Sequence, residues 1–310
     1  MNRQTFNWVS DLVKSSPGET STRRKSITGC FVIERYQCGR IRNNELIFTA
    51  EDKTSLRQQI IQEFKLDPFD TELPTDRVGI AKLHNNEKLA KNPVSHDHIL
   101  LNCPNKTLKL NNRTIQLQTE VVPNAGMMCL SSGINQIDHD AIVVVENLAI
   151  MQLCGTLELP SFCRDALWVY RGDHKSGAKI GACYDLLNRF GSNKTVVVCS
   201  DMDPKGLEIA LTIPHAQYWL GPELSTWDDC FNSDYASRSG YDKQSNAMAF
   251  LLKKCDAGLL ADAFSNLVLR IKKERSSYRQ EHGYAHNVNL SLFPIKQETA
   301  LLSLRHSTRD

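Results

Sequence analysis

The chain reads as an α/β fold with a parallel sheet flanked by helices, and three observations predict it. Ala141-Ile-Val-Val-Val145 and Thr195-Val-Val-Val-Cys199 are apolar runs without alternation, the pattern of strands covered on both faces. Each runs into a helical pattern, Asn147-Leu-Ala-Ile-Met-Gln-Leu153 after the first and a stretch opened by Pro204 after the second. Between them lie a further strand, Leu167-Trp-Val-Tyr170, and apolar residues at helical spacing over 177–190, so strand and helix alternate as parallel connections require. Ala216-Gln-Tyr-Trp-Leu220 supplies a fourth strand.

Both central strands end in acids. Glu146 follows the first, and Asp201-Met-Asp203 follows the second. Carboxylates two residues apart leave the same face of an extended chain and can share one hard cation. If the two strands lie in one parallel sheet, their C-terminal ends share an edge, and Glu146, Asp201 and Asp203 converge there. Crowded carboxylates raise one another's pKa unless a divalent cation neutralises them. An oxygen-only donor set points to Mg2+, with Mn2+ as its substitute. Pro204 suits a first helical turn, and Gly206 lets the backbone pass close to a ligand. The competing reading is that Asp203 only N-caps the helix and Asp201 is a solvated loop acid, and the motif by itself does not decide.

Ahead of this region, residues 1–65 read as a helix, the basic segment Thr22-Arg-Arg-Lys-Ser26, a second helix, and Gly39–Phe48 turning at Asn43-Asn44. That order predicts a small winged-helix module, with a helix over 53–64 packed behind it. The net charge of +2 announces no nucleic-acid partner, so the distribution must carry the argument. It is uneven: 11 Lys and Arg stand against 7 Asp and Glu over residues 1–65, and 10 against 6 over 253–310. Arg23, Arg24, Lys25, Arg40 and Arg42 are candidate phosphate contacts, as is Lys175 in the loop after the third strand. His174 beside it is a second candidate, and Gly172 is the turn residue that positions the loop.

Residues 66–130, punctuated by Pro68, Pro74, Pro93 and Pro104, read as a linker subdomain with a hairpin about Asn111-Asn112. Beyond a Ser- and Asp-rich break at 221–240, helical patterns at 246–255 and 258–273 make 226–310 a helical C-terminal extension. No apolar run approaches the roughly 18–20 residues of a membrane span, and the start lacks a signal-peptide core, which predicts a cytoplasmic protein. Ten cysteines without a single Cys-x-x-Cys read as reduced thiols, several of them in apolar runs. His96-x-His98 lacks a third ligand at metal spacing.

Glu at the end of one strand and Asp-x-Asp at the end of a later one resembles the Toprim catalytic domain of topoisomerases, primases and related nucleases. The form Asp201-Met-Asp203-Pro-Lys-Gly206, with the strand Leu167–Tyr170 and a turn at Gly172 between the two acidic motifs, is closer to one branch of that family. This branch contains the topoisomerase VI A subunit, the meiotic double-strand-break proteins and the Wadjet nuclease subunit JetD. The resemblance covers about residues 120–225 and implies a Toprim domain at 131–225 with Glu146, Asp201 and Asp203 as metal-holding catalytic residues. The pair Gln280-Glu281 resembles a Gln-Glu element near the end of JetD-like proteins, which makes Glu281 a further candidate acid; a plain charge cluster at a helix end is the alternative.

The implied activity is metal-dependent hydrolysis of DNA. Transesterases of the branch instead attack with a winged-helix tyrosine, and Glu34-Arg35-Tyr36 is similar to the end of that motif, although the Arg and acid stand in a different arrangement. Tyr36 is therefore the candidate nucleophile of the alternative chemistry. A third reading is a DNA- or partner-binding subunit without catalysis. The resemblance further implies double-stranded DNA, an SMC condensin-like complex and a homodimer as partners.

Overall fold

The computed structural model describes residues 1–86, 89–117, 124, 126–173 and 175–297, and it divides into two compact units, Met1–Val94 and Ser95–Asp310. In the first unit, helix α1 (Arg3–Lys14) leads through strand β1 (Ser21–Arg24) to α2 (Ile27–Tyr36). A hairpin of β2 (Arg40–Arg42) and β3 (Glu45–Phe48) follows, then α3 (Ala50–Phe64) and α4 (Arg77–Leu83). The strands form an antiparallel sheet in the order β1-β3-β2. Asn43 turns the hairpin at φ +54°, a left-handed conformation that asparagine tolerates better than most side chains.

Each helix starts where a polar side chain can accept a free N–H. Asn2 accepts from Thr5 and Ser26 from Gly29, while Thr49 and Asp52 form a reciprocal capping box. Phe6, Val9, Leu12, Val32, Leu46, Phe48, Leu56 and Ile60 make one continuous core. Lys53 is buried among them at 2 % exposure. Its ammonium donates to the carbonyls of Ser15 and Ser16, both at 2.8 Å, and to the Ser21 hydroxyl at 2.7 Å. All three protons are used, and the charge sits at the C-terminal end of α1, where the helix dipole favours a cation.

The second unit is a mixed α/β layer structure. Strand β4 (His98–Asn102) is followed by the hairpin β5 (Thr107–Leu110) and β6 (Arg113–Gln116), then by β7 (Met127–Leu130) and β8 (Ala141–Val145). Helices α5 (Leu148–Leu153) and α6 (Ser161–Arg164) precede β9 (Leu167–Tyr170), and α7 (Ile180–Phe190) precedes β10 (Thr195–Cys199). Helix α8 (Pro204–Thr212) leads to β11 (Ala216–Pro222). Five helices follow, α9 (Trp227–Asn232), α10 (Arg238–Asp242), α11 (Ser245–Asp256), α12 (Asp262–Glu274) and α13 (Gln280–Ala285), and β12 (Leu290–Pro294) closes the described chain.

Seven of these strands form one sheet in the order β12-β11-β10-β8-β9-β4-β7. Its four central strands, β11, β10, β8 and β9, are mutually parallel, as their unbroken apolar runs require. Every residue of β8 is buried: Ile142 and Val144 enter a core with residues of α7, α8, α11 and α12, whereas Ala141, Val143 and Val145 enter another with residues of α5 and α6. The edges depart from the all-parallel expectation. Strands β4, β7 and β12 run antiparallel to their neighbours.

Those edge strands come from segments the sequence assigns elsewhere. The stretch 66–130 is shared between the two units, and from Ser95 onward β4 and β7 join the central sheet. The C-terminal 226–310 segment supplies helices and also β12, paired with β11 from Tyr218↔Pro294 to Pro222↔Leu290. The hairpin about Asn111-Asn112 is present as β5-β6, with both asparagines at positive φ; its expected continuation over 118–122 lies outside the described residues. All ten cysteines are free thiols, and no helix among the described residues is long and apolar enough to cross a membrane.

Replacing Lys53 by Met keeps the buried stem but removes three charged hydrogen bonds, leaving the Ser16 carbonyl with the Glu19 N–H at 3.0 Å and the Ser15 carbonyl with only a long bond from the Ser21 hydroxyl at 3.4 Å. The expected loss is about 2–3 kcal/mol of stability, read as a lower urea midpoint with an unchanged slope; a wild-type midpoint would show that water replaces the ammonium.

Candidate functional site

Strands β8 and β10 pair from Thr195↔Ala141 to Cys199↔Val145, and the ladder continues one step further, with the Glu146 N–H on the Cys199 carbonyl at 3.0 Å. Glu146 and the Ser200–Asp203 loop therefore leave the sheet side by side. On the other flank, β9 runs beside β8 to Tyr170↔Val145, and the Arg171 N–H bonds the Val145 carbonyl at 2.8 Å. A third segment arrives from the C-terminal helices. Met202 and Tyr278 exchange backbone hydrogen bonds of 3.0 and 3.1 Å, which seats Gln280 and Glu281 next to the acids.

Asp201 Oδ1 accepts the Gln280 backbone N–H at 2.9 Å. Burial pushes the pKa of Asp201 up to about 7, and repulsion from Asp203, Glu146 and Glu281 adds to the rise that the Gln280 N–H opposes. Glu146 is also raised, first by burial and then by the charge of Asp203; Arg171, the Asp201 N–H and Lys205 pull it down. Its Oε2 is buried without a hydrogen-bond partner. Asp203 is 7 % exposed: Oδ1 accepts the Gly206 N–H and Oδ2 accepts the Gln244 amide, both at 2.7 Å. Gln244 in turn accepts the Lys205 N–H at 2.8 Å.

Asp203 is thus the N-cap of α8, as one sequence reading has it, while Asp201 is no solvated loop acid. The helix start spends its own donors: Gly206 N–H goes to Asp203, Lys205 N–H to Gln244 and Leu207 N–H to the Asp203 carbonyl. The first-turn N–H groups of α8 are therefore engaged within the chain. Asp201 is within electrostatic reach of Asp203, Glu146 and Glu281, and an all-oxygen set with an unpartnered buried Glu146 oxygen is the donor chemistry that a hard divalent cation takes.

The two glycines expected to position backbone do so against the chain itself. A Cβ on Gly206 would lie 2.1 Å from the Asp201 carbonyl oxygen, so only glycine lets α8 start this close to the acid loop. Gly172 sits at φ +88°, and a Cβ there would meet the Lys179 backbone at 2.6 Å. The loop after it is organised by Asp173, whose carboxylate accepts the Tyr170 hydroxyl at 2.9 Å and the backbone N–H groups of Lys175 and Ser176. Those donors, Ser176 first, hold its pKa down at about 2. Lys175 is exposed, and His174 lies outside the described residues.

Residues 96–292 match the family described as a domain of unknown function, DUF7281. The chain belongs to that family. No curated protein matches it. The DUF7281 region takes in all seven strands of the central sheet except the last residues of β12, and all four acids.

Among the described residues, the group of three ligand-type side chains whose donor atoms lie within 4.8 Å of one another is not the strand-end acids but Cys103, His139 and Asp165. Its hydrogen bonds are already made. His139 Nε2 accepts the Lys109 backbone N–H at 2.9 Å, so the proton is on Nδ1, which donates to the Asp165 carbonyl at 2.7 Å. Burial lowers the pKa of this imidazole and keeps it neutral with no free lone pair. Cys103 bonds Asn105, and the Asp165 carboxylate holds Lys109 and Asn105. The group ties the β5-β6 hairpin to the end of α6, and a cation would have to dismantle it.

The remaining candidates lie outside the DUF7281 region. Cross-strand pairs Arg24↔Glu45↔Arg42 and Thr22↔Ile47↔Arg40 put Arg24, Arg40 and Arg42 on one face of the three-stranded sheet, all exposed. Lys25 is exposed beside them, whereas Arg23 is on the opposite face, its guanidinium 5.3 Å from the Trp8 ring centroid. Tyr36 is 5 % exposed, and its hydroxyl donates to Glu63 at 3.0 Å. Burial, chiefly, raises its pKa, the opposite of what an attacking phenolate needs. Sequence reasoning missed Gln244, Arg171 and the backbone of Gln280; a glutamine acting across 41 or 79 residues carries no local signal.

The sign of the pH dependence follows from Asp201. A folded-state pKa near 7 against about 4 in the unfolded chain means its stabilising contribution is complete below about pH 4 and is lost as pH rises through 7. In the absence of divalent cations, Asp201→Asn should therefore melt higher than wild type near pH 8 and equally near pH 4. Mg2+ should raise the wild-type melting temperature near pH 8 and leave that of Asp201→Asn unmoved. Identical melting curves for the two proteins at both pH values would refute the assigned burial of charge.

Proposed function

We propose that the chain is a metal-dependent DNA endonuclease, its second unit a Toprim-type catalytic domain of the branch containing the topoisomerase VI A subunit and the Wadjet nuclease subunit JetD. The observation that carries this reading is the meeting of Glu146, Asp201, Asp203 and Glu281, delivered by three separate segments to one edge of a parallel sheet. Three of them are substantially withdrawn from water, a costly arrangement that a hard cation relieves. Mg2+ or Mn2+, when bound, supplies Lewis-acid stabilisation of the phosphate and activation of water.

The chain's own residues do the rest. Glu146 and Asp201 offer the least satisfied oxygens, Asp203 is held in orientation by Gly206 and Gln244, and Glu281 adds charge from the C-terminal helix. Hydrolysis is favoured over transesterification because Tyr36 is hydrogen-bonded to Glu63 with a raised pKa. The first unit supports a winged-helix reading through its β1-β3-β2 sheet and β2-β3 wing, though a single helix, α2, stands between β1 and the wing. Its row of Arg24, Arg40 and Arg42, with Lys25 beside it, suits the backbone of double-stranded DNA. On this reading an SMC condensin-like complex and a second copy of the chain are the partners.

Glu146→Gln and Asp203→Asn preserve shape, and asparagine retains the cap on α8. Each is expected to slow Mg2+-dependent plasmid nicking by on the order of 10²–10³-fold with an unchanged circular dichroism spectrum. Nicking by Asp203→Asn at the wild-type rate would sink the assignment. Replacing Arg24, Arg40 and Arg42 together by Ala should weaken duplex binding and reduce the slope of log K against log salt by about 2–3; a wild-type slope would move the DNA-binding face elsewhere.

A further inference from the structure

The acid cluster already contains one positive charge that its surroundings leave unsatisfied. Arg171 follows β9, and its side chain keeps only 19 % exposure. Nη2 stands 3.8 Å from Glu146 Oε1, beyond hydrogen-bond reach, and Nε is buried without a partner. A buried guanidinium normally saturates its rigid fork of donors on a carboxylate or on carbonyls. Here neither side of the pair is saturated, since Glu146 Oε2 is unpartnered as well.

The other cations nearby are differently placed. Lys205 is paired with Glu208, and Lys175 is on the exposed loop. The N–H groups at the start of α8 are occupied by Asp203 and Gln244. An anionic phosphate approaching four carboxylates therefore finds one guanidinium, that of Arg171, that donates no hydrogen bond within the chain and whose Nη groups, unlike Nε, are not buried.

We infer that Arg171 sets the balance between cation and phosphate at this site: it offsets part of the carboxylate charge, and its open donors anchor a non-bridging oxygen of the phosphodiester. The inference rests on the metal-site reading above. It has opposite consequences for the two ligands, which a purely structural arginine would not. Loss of the positive charge leaves a more negative cluster, so a divalent cation binds more tightly, while the phosphate loses its anchor and reacts more slowly.

The test is Mn2+ binding, followed by electron paramagnetic resonance of the free ion, beside plasmid cleavage, for wild type, Arg171→Gln and Arg171→Lys. Arg171→Gln is expected to bind Mn2+ about tenfold more tightly and to cleave about 100-fold more slowly. Arg171→Lys keeps the charge and loses the planar fork, so Mn2+ affinity returns to within about twofold of wild type and cleavage stays depressed. Unchanged or weaker Mn2+ binding by Arg171→Gln, with wild-type binding intact, overturns the inference alone. Absence of Mn2+ binding by wild type overturns the metal-site reading along with it. If Arg171→Gln fails to fold, Arg171→Lys decides: wild-type affinity with slowed cleavage supports the anchor, and wild-type cleavage removes it.

Discussion

The parallel pairing of β8 with β10 is the constraint on which the site depends. Five consecutive register pairs, extended by the Glu146 N–H to Cys199 carbonyl bond, oblige Glu146 and the Asp201–Asp203 loop to leave the sheet at one edge. Neither strand has a solvent face, so the edge they share is walled by two apolar cores. Carboxylates placed there are desolvated and repel one another, and both effects raise the pKa values of Glu146 and Asp201. The fold tolerates this because the same strands that deliver the acids bury Val143, Val144, Val145, Val196, Val197 and Val198 completely. The stability of the two cores thus underwrites a local arrangement that is unfavourable without a counter-charge.

The C-terminal segment is part of this arrangement. The reciprocal Met202–Tyr278 backbone bonds, the Gln280 N–H on Asp201 and the Gln244 amide on Asp203 fix the acid loop from outside the βα unit that carries it. Strand β12 then closes the sheet against β11. This gives a physical reason for the family match to run continuously over 96–292 instead of stopping at the end of the parallel core. The region from α9 onward completes the loop's hydrogen bonds, and β4 and β7 complete the opposite edge of the sheet.

The parallel core was legible because a strand buried on both faces needs an unbroken apolar run, and 141–145, 167–170 and 195–199 have one. Edge strands have weaker requirements. His98–Asn102 sits among proline-punctuated residues, and Leu290–Pro294 is mostly half-buried, so neither carries a pattern that distinguishes it from a linker or the end of a helical tail. The acids were legible through their position at strand ends. Their holders were not, since a backbone N–H from Gln280 is the same group in every residue type, and what matters is where the chain returns. Gly206 was correctly marked as a close approach, but the approach is to the Asp201 carbonyl and not to a ligand.

Capping and cation binding, set against each other for Asp203 in the sequence, are compatible in the structure. A carboxylate has about four lone-pair directions, and the Gly206 and Gln244 bonds take one on each oxygen. The directions left over are fixed, because the cap holds Oδ1 and the amide holds Oδ2. A cap therefore removes the rotational freedom that a ligand would otherwise lose on binding, and the same hydrogen bonds that start α8 preorganise the carboxylate. Asp201 is oriented in the same manner by the Gln280 N–H, from a segment 79 residues away. Glu146 is the exception: one of its oxygens is unpartnered, and a loosely approached arginine is its nearest counter-charge. On the proposed reading this is where a cation gains most, since it replaces no existing hydrogen bond on that oxygen.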